Sequence, residues 1–230
     1  MKRILSTAAF IVLIVAIAAV AVYALNGQPA AETAAAPAAV PGSASVETNA
    51  LAPAAAQNYN NIGMPLDSTA QMSSFDADGL ATLVGPGVQQ VFRLNGDQQI
   101  FESWYPPSSY GTNFDLEVGG SYWLLLDGTA ESIVSLVGDV PEQNTIQFTL
   151  YGASPCKFND ITVPLDRSDI TTADELATAI GGVEQVLQLD ATYQVFQAWY
   201  PPTSYGTDFA VKIGYPYRVC LDATAPSVWP

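Results

Sequence analysis

Trp104-Tyr105-Pro106-Pro107-Ser108-Ser109-Tyr110-Gly111-Thr112-Asn113-Phe114 returns as Trp199-Tyr200-Pro201-Pro202-Thr203-Ser204-Tyr205-Gly206-Thr207-Asp208-Phe209. A match of this length, in residues this uncommon, indicates one module present twice. Working outward, Tyr59-Asn60-Asn61-Ile62-Gly63-Met64-Pro65-Leu66-Asp67 aligns with Phe158-Asn159-Asp160-Ile161-Thr162-Val163-Pro164-Leu165-Asp166. Each reads as a short strand ended by proline, with apolar residues at alternate positions.

A short helix follows in each copy. In the second, Thr172 and Glu175 form a capping box, Ala173, Leu176, Ala177 and Ile180 supply the apolar face, and Gly181-Gly182 ends it. In the first, Asp76 is the cap, Leu80, Leu83 and Val84 point inward, and Gly85-Pro86-Gly87 ends it; Gly79 within it costs about 1 kcal/mol relative to Ala. Val88, Val91 and Leu94, like Val183, Val186 and Leu189, are three apart. That spacing in a strand predicts a bulge. Asn95-Gly96 and Asp190-Ala191 read as hairpin turns. The returning strands place Phe101 and Phe196 on one face and Trp104 and Trp199 on the other. A last strand runs from Tyr122 to Leu126, or Tyr217 to Leu221.

Ile133 to Val137 and Thr145 to Leu150 read as a hairpin that bridges the copies, with its turn at Pro141 to Asn144. The predicted class is α+β, mainly antiparallel β, with two homologous copies packed as one body. The expected organisation is an export segment at 1–25, a linker at 26–57, copy one at 58–130, the bridging hairpin at 131–153 and copy two at 154–230.

Lys2 and Arg3 precede an apolar run from Ile4 to Leu25, the pattern of an export signal or an N-terminal membrane anchor. Residues 26–57 are rich in Ala, Pro, Ser and Thr and too poor in large apolar groups to offset their ordering entropy, so a flexible tether is expected. The chain is expected to be extracytoplasmic, secreted or anchored at the cell surface, touching membrane only through its N-terminal segment. Cys156 and Cys220 are the two cysteines, and in an exported chain such a pair predicts a disulfide.

The composition argues against several chemistries. With no histidine, Ser-His-Asp and Cys-His arrangements and the usual zinc sites are absent. Seven basic residues against a net charge of −15 disfavour nucleic acid and phosphoryl transfer. No cofactor or metal site is predicted. Asp76-Ala77-Asp78-Gly79 has the start of a calcium loop without its later ligands. The matched carboxylates Asp67 with Asp166, and Asp127 with Asp222, sit where Asp turns a chain, which leaves a carboxylate-based glycosidase as a remote alternative.

The paired aromatic loops supply the candidate ligand-binding residues: Trp104, Tyr105, Tyr110, Trp199, Tyr200 and Tyr205. Exposed rings beside Pro-Pro form a platform for sugars or a partner protein; folded back, the same rings would cover the end of the sheet. The expected role is non-catalytic, in adhesion, assembly or structure at the surface. The alternative is a carbohydrate-binding module using these loops. Possible partners are a glycan, a surface protein, or a second molecule joined through an open sheet edge after copy two.

The order Asn-x-Ile-x-x-Pro-Leu-Asp, then Ala-Asp-x-Leu, then the Val-x-x-Val strand, then Gly-Tyr-Pro-Tyr at Gly214 to Tyr217 resembles a repeat of secreted and cell-surface bacterial proteins. The resemblance covers about Tyr59 to Ala130 and Phe158 to Ala225. It implies an extracellular β-rich module and brings no catalytic residues with it.

Overall fold

The repeated blocks build two five-stranded antiparallel sheets of the same order. In a computed structural model of the chain, the described residues are 43–48, 58–127, 134–142 and 145–229. Copy one contributes β2 (Asn58–Gly63), α1 (Ala77–Val84), β3 (Val88–Asn95), β4 (Ile100–Tyr105), β5 (Tyr110–Gly111) and β6 (Ser121–Leu126), in the order β2-β6-β3-β4-β5. Copy two contributes β9 (Lys157–Thr162), α2 (Ala173–Ile180), β10 (Val183–Asp190), β11 (Val195–Tyr200), β12 (Tyr205–Gly206) and β13 (Pro216–Leu221), in the order β9-β13-β10-β11-β12. The correspondence strand by strand supports internal duplication.

Local chemistry explains the elements. Both the Thr172–Glu175 capping box and the Asp76 cap are formed. The i, i+3 spacing of valines is resolved by a register shift between Val88 and Gln90, and again between Val183 and Gln185: the bulge returns Val91 and Val186 to the helix-facing side. Gly79 is more than a weak helix residue. A Cβ there would lie 1.8 Å from the Ser74 carbonyl oxygen, so the approach of the preceding loop requires glycine.

The expected two-residue hairpin turns are longer in the structure. Asn95 pairs with Ile100 and Asp190 with Val195, leaving four-residue loops that end in Gln99 and Gln194 at φ 56° and 55°. Both left-handed glutamines reach the main chain of the other copy.

The bridging hairpin does not form. β7 (Val134–Asp139) pairs instead with β1 (Ser43–Thr48), a segment the composition had placed in the linker. β8 (Phe148–Thr149) pairs with β14 (Val228–Trp229). The cause is packing: Val134 and Leu136 belong to the core of copy one, whereas Leu150 and Trp229 belong to that of copy two. Each half of the connector seals its own neighbour. The expected export segment and the rest of the linker lie outside the described residues.

Each copy therefore has its own core between helix and sheet, with Ile62, Leu80, Val91 and Leu124 in one and Ile161, Leu176, Val186 and Val219 in the other. The opposite sheet faces meet. Trp123 of β6 packs on Phe196 of β11 with ring centroids 5.9 Å apart. Arg218 of β13 lies over Trp123 at 4.7 Å and over Phe101 at 5.2 Å. Helix, sheet, sheet and helix thus stack as four layers. Cys156 and Cys220 form the predicted disulfide, tying the approach to β9 onto β13.

Candidate functional site

The two Trp-Tyr-Pro-Pro loops sit on the β4-β5 and β11-β12 edges, the sides of the sheets away from β2 and β9. In both, the prolines start a single 3-10 turn, Pro106–Ser108 or Pro201–Thr203. Ser109 and Ser204 then adopt φ 50°, and Gly111 and Gly206 φ 99°. A Cβ on either glycine would fall 2.2 Å from a carbonyl oxygen of the preceding strand, so no other residue fits there.

The six aromatic residues divide into two roles. Trp104 and Trp199 are half-buried against the cores, and their Nε1–H groups donate to Asp78 and Asp174 at 3.0 Å. They fold back over the helix starts. Asn113 and Asp208 complete the tie, accepting the main-chain N–H of Asp78 at 3.0 Å and of Asp174 at 2.9 Å. The tyrosines take the other role. Tyr110 is 72 % exposed and Tyr205 68 %. Each faces a cross-strand partner: Tyr105 and Tyr110 have centroids 6.0 Å apart at 42°, Tyr200 and Tyr205 5.9 Å apart at 46°.

The two tyrosine pairs differ in one support. Gln185 donates its amide to the Tyr200 hydroxyl at 2.7 Å. The matching Gln90 donates to Ser103 at 2.9 Å, because Ser103 stands where copy two has Ala198. Copy two therefore presents a tethered tyrosine and copy one a less restrained one.

The carboxylates singled out in the sequence are occupied locally. Asp67 accepts from the N–H and hydroxyl of Thr69, and Asp222 from those of Thr224. Burial works to raise the pKa of Asp76, yet the hydrogen bonds from Gly79, Ser74, Asn113 and Asp78 outweigh it and hold the carboxyl below its ordinary value. Helix capping thus accounts for the Asp76-Ala77-Asp78 segment. Among the described residues no three His, Cys, Asp or Glu side chains are placed to share a metal ion. No helix among them is long and apolar enough to cross a membrane.

A polar cleft of about 420 Å3 opens between residues 117–121 of copy one and β8 and β9. The charges on its walls are largely paired, Arg93 with Glu102 at 2.8 Å and Asp160 with Arg218 at 2.6 Å.

Sequence reasoning missed the residues that join the copies. Gln99 accepts the N–H of Phe158 and donates to its carbonyl, both at 2.9 Å. Gln194 does the same to Tyr59, both at 2.8 Å. Asp160 chelates the Arg218 guanidinium and accepts Trp123 Nε1 at 2.7 Å. Equivalent residues thus make reciprocal contacts about a local two-fold axis, as in an isologous dimer. The available signal was a mismatch: Trp123 and Arg218 occupy the same position of aligned strands.

Comparison with known protein families, with curated proteins and with solved structures finds no match. The disulfide points to an oxidising environment outside the cytoplasm.

Proposed function

We propose that this chain is a non-catalytic module of the bacterial cell surface that acts in adhesion or assembly through its two tyrosine pairs. The observation that carries the reading is that Tyr110 and Tyr205 stand exposed at matched positions on rigid, glycine- and proline-fixed loops. An exposed aromatic patch repeated in both copies fits contact with a ligand. The disulfide, the apolar N-terminal segment and the likeness to surface repeats support the location. The engagement of Asp67 and Asp222 in turns favours binding over bond cleavage. Edge-to-edge self-association would fall to β5 and β12, since the main chain of β2 and β9 is clamped at Tyr59 and Phe158 by glutamine.

The test is attachment of cells that display the full chain to bare, protein-coated and polysaccharide-coated surfaces. Replacing both exposed rings, Tyr110→Ser with Tyr205→Ser, should abolish attachment while leaving surface display unchanged. Attachment that is equal with and without the rings on every surface overturns the proposal.

A further inference from the structure

We infer that the tyrosine loops bind a neutral glycan polymer, both engaging one strand at once; this rests on the loops being the contact surface. Three features lead to that class of ligand.

The first is charge. Residues 104–112 and 199–207 contain no Asp, Glu, Lys or Arg, although the chain as a whole carries −15. What they offer is tyrosine faces, proline rings and the hydroxyls of Ser108, Ser109, Thr112, Thr203, Ser204 and Thr207. Sugar rings present apolar C–H faces with hydroxyls at their edges, which such a surface matches.

The second is room beside the platform. A groove of about 370 Å3 runs along Pro201 and Pro202, floored by Gly181 and Gly182 and bordered by Glu184 and Asp222. Its size suits one or two sugar units. Glu184 offers acceptors to sugar hydroxyls, and both carboxylates repel an anionic polymer such as a uronate or a nucleic acid.

The third is duplication on a fixed frame. The reciprocal Gln99 and Gln194 clamps and the Arg218–Trp123 contact hold the sheets in one relation, so the loops have a set separation and orientation. Two tyrosine platforms on one frame, one of them beside the copy-two groove, gain little from a lone sugar. A ligand that repeats along its length reaches both, and the second contact then forms at high effective concentration. The Gln185 tether on Tyr200 makes copy two the better-ordered site.

Affinity electrophoresis of the full chain in mild detergent, through gels containing mannan, dextran, galactomannan or a mixed-linkage glucan, tests this, alongside titration with a tetrasaccharide of whichever sugar retards it. Retardation by at least one neutral polymer is expected. Tyr110→Ser or Tyr205→Ser alone should weaken polymer binding roughly 100-fold, while titration with the tetrasaccharide should show one site lost and the affinity of the remaining site unchanged. If single variants weaken polymer binding by no more than about 2-fold, the loss of one of two independent sites, simultaneous engagement is wrong. If no neutral polymer retards the chain while tyrosine-dependent attachment to surfaces persists, the glycan is wrong and the contact surface stands. If attachment never depends on the tyrosines, the functional reading itself falls.

Discussion

Gln99 closes the hairpin loop of copy one in a left-handed conformation and spends its side-chain amide on the main chain of Phe158 in copy two. The amide mimics a peptide group and completes an exposed strand edge. Gln194 makes the same pair of bonds to Tyr59. Gln99→Ala with Gln194→Ala should cost about 2–6 kcal/mol from the two hydrogen bonds to the other copy lost at each site, beside a third within each loop. It should also leave β2 and β9 open to strand pairing. Urea unfolding measures the first effect, and concentration-dependent sedimentation the second. Gln99→Gly should be milder than Gln99→Ala, since glycine accepts φ 56° without strain.

The guanidinium of Arg218 is, among the described residues, the cation paired with Asp160, whose side chain is 3 % exposed. Arg218→Met should destabilise by about 3–5 kcal/mol, because a buried carboxylate is left without its partner. Arg218→Met with Asp160→Asn should recover much of that loss. A double variant no more stable than the single one would show that ring packing, and not charge, dominates at this point.

Gly79→Ala should destabilise, contrary to the gain of about 1 kcal/mol that helix propensity alone predicts. The added methyl would meet the Ser74 carbonyl oxygen. A fall in melting temperature checks this. An exposed substitution on the same helix, such as Thr82→Ala, is the control.

Reduction of the Cys156–Cys220 bridge releases a sequence separation of 64 residues. The loss should approach about 4 kcal/mol, and Cys156→Ser with Cys220→Ser should match it. Intrinsic tryptophan fluorescence under urea, compared in reducing and oxidising buffer, reports it.

Alkaline pH should unfold the protein through two tyrosines. Burial pushes the hydroxyl of Tyr122 up to about 12 and that of Tyr217 up to about 12, against the ordinary tyrosine value of about 10. Between those pH values the unfolded chain has released protons that the folded chain still holds, so stability falls as pH rises. The contribution is fully present below pH ~10 and is lost by pH ~12, about 2–3 kcal/mol per tyrosine. Tyr122→Phe should flatten the alkaline slope. It should also lower stability near neutrality, because the Glu117 N–H that donates to the hydroxyl at 2.6 Å loses its acceptor.

Periodicity and repetition made the two sheets legible. The unusual Val-x-x-Val spacing announced a bulge, Thr172 and Glu175 announced a cap, and two cysteines in one copy announced their bond. Pairing of the connector was not legible. Neighbouring strands usually pair with each other, but Leu136 and Leu150 are drawn into different cores. Nor could Ser43–Thr48 be seen as a strand, since its partner β7 is supplied from far along the chain. At the loops, sequence singled out six rings but could not assign their directions. Asp78, which holds Trp104 down, read as part of an incomplete calcium loop, and Asp174, which holds Trp199 down, carried no signal of its own.

The unlike occupants of the local axis, Trp123 in one copy and Arg218 in the other, give the molecule a way to tell itself apart. Two second copies meeting across that axis would set one Arg218–Asp160 pair against another, with no indole to donate to either carboxylate. Two first copies would oppose indole to indole with Asn61 where the carboxylate should be. Each half thus carries the group the other lacks, Trp123 on one side and the Arg218–Asp160 pair on the other, which favours contact between unlike halves over contact between like ones.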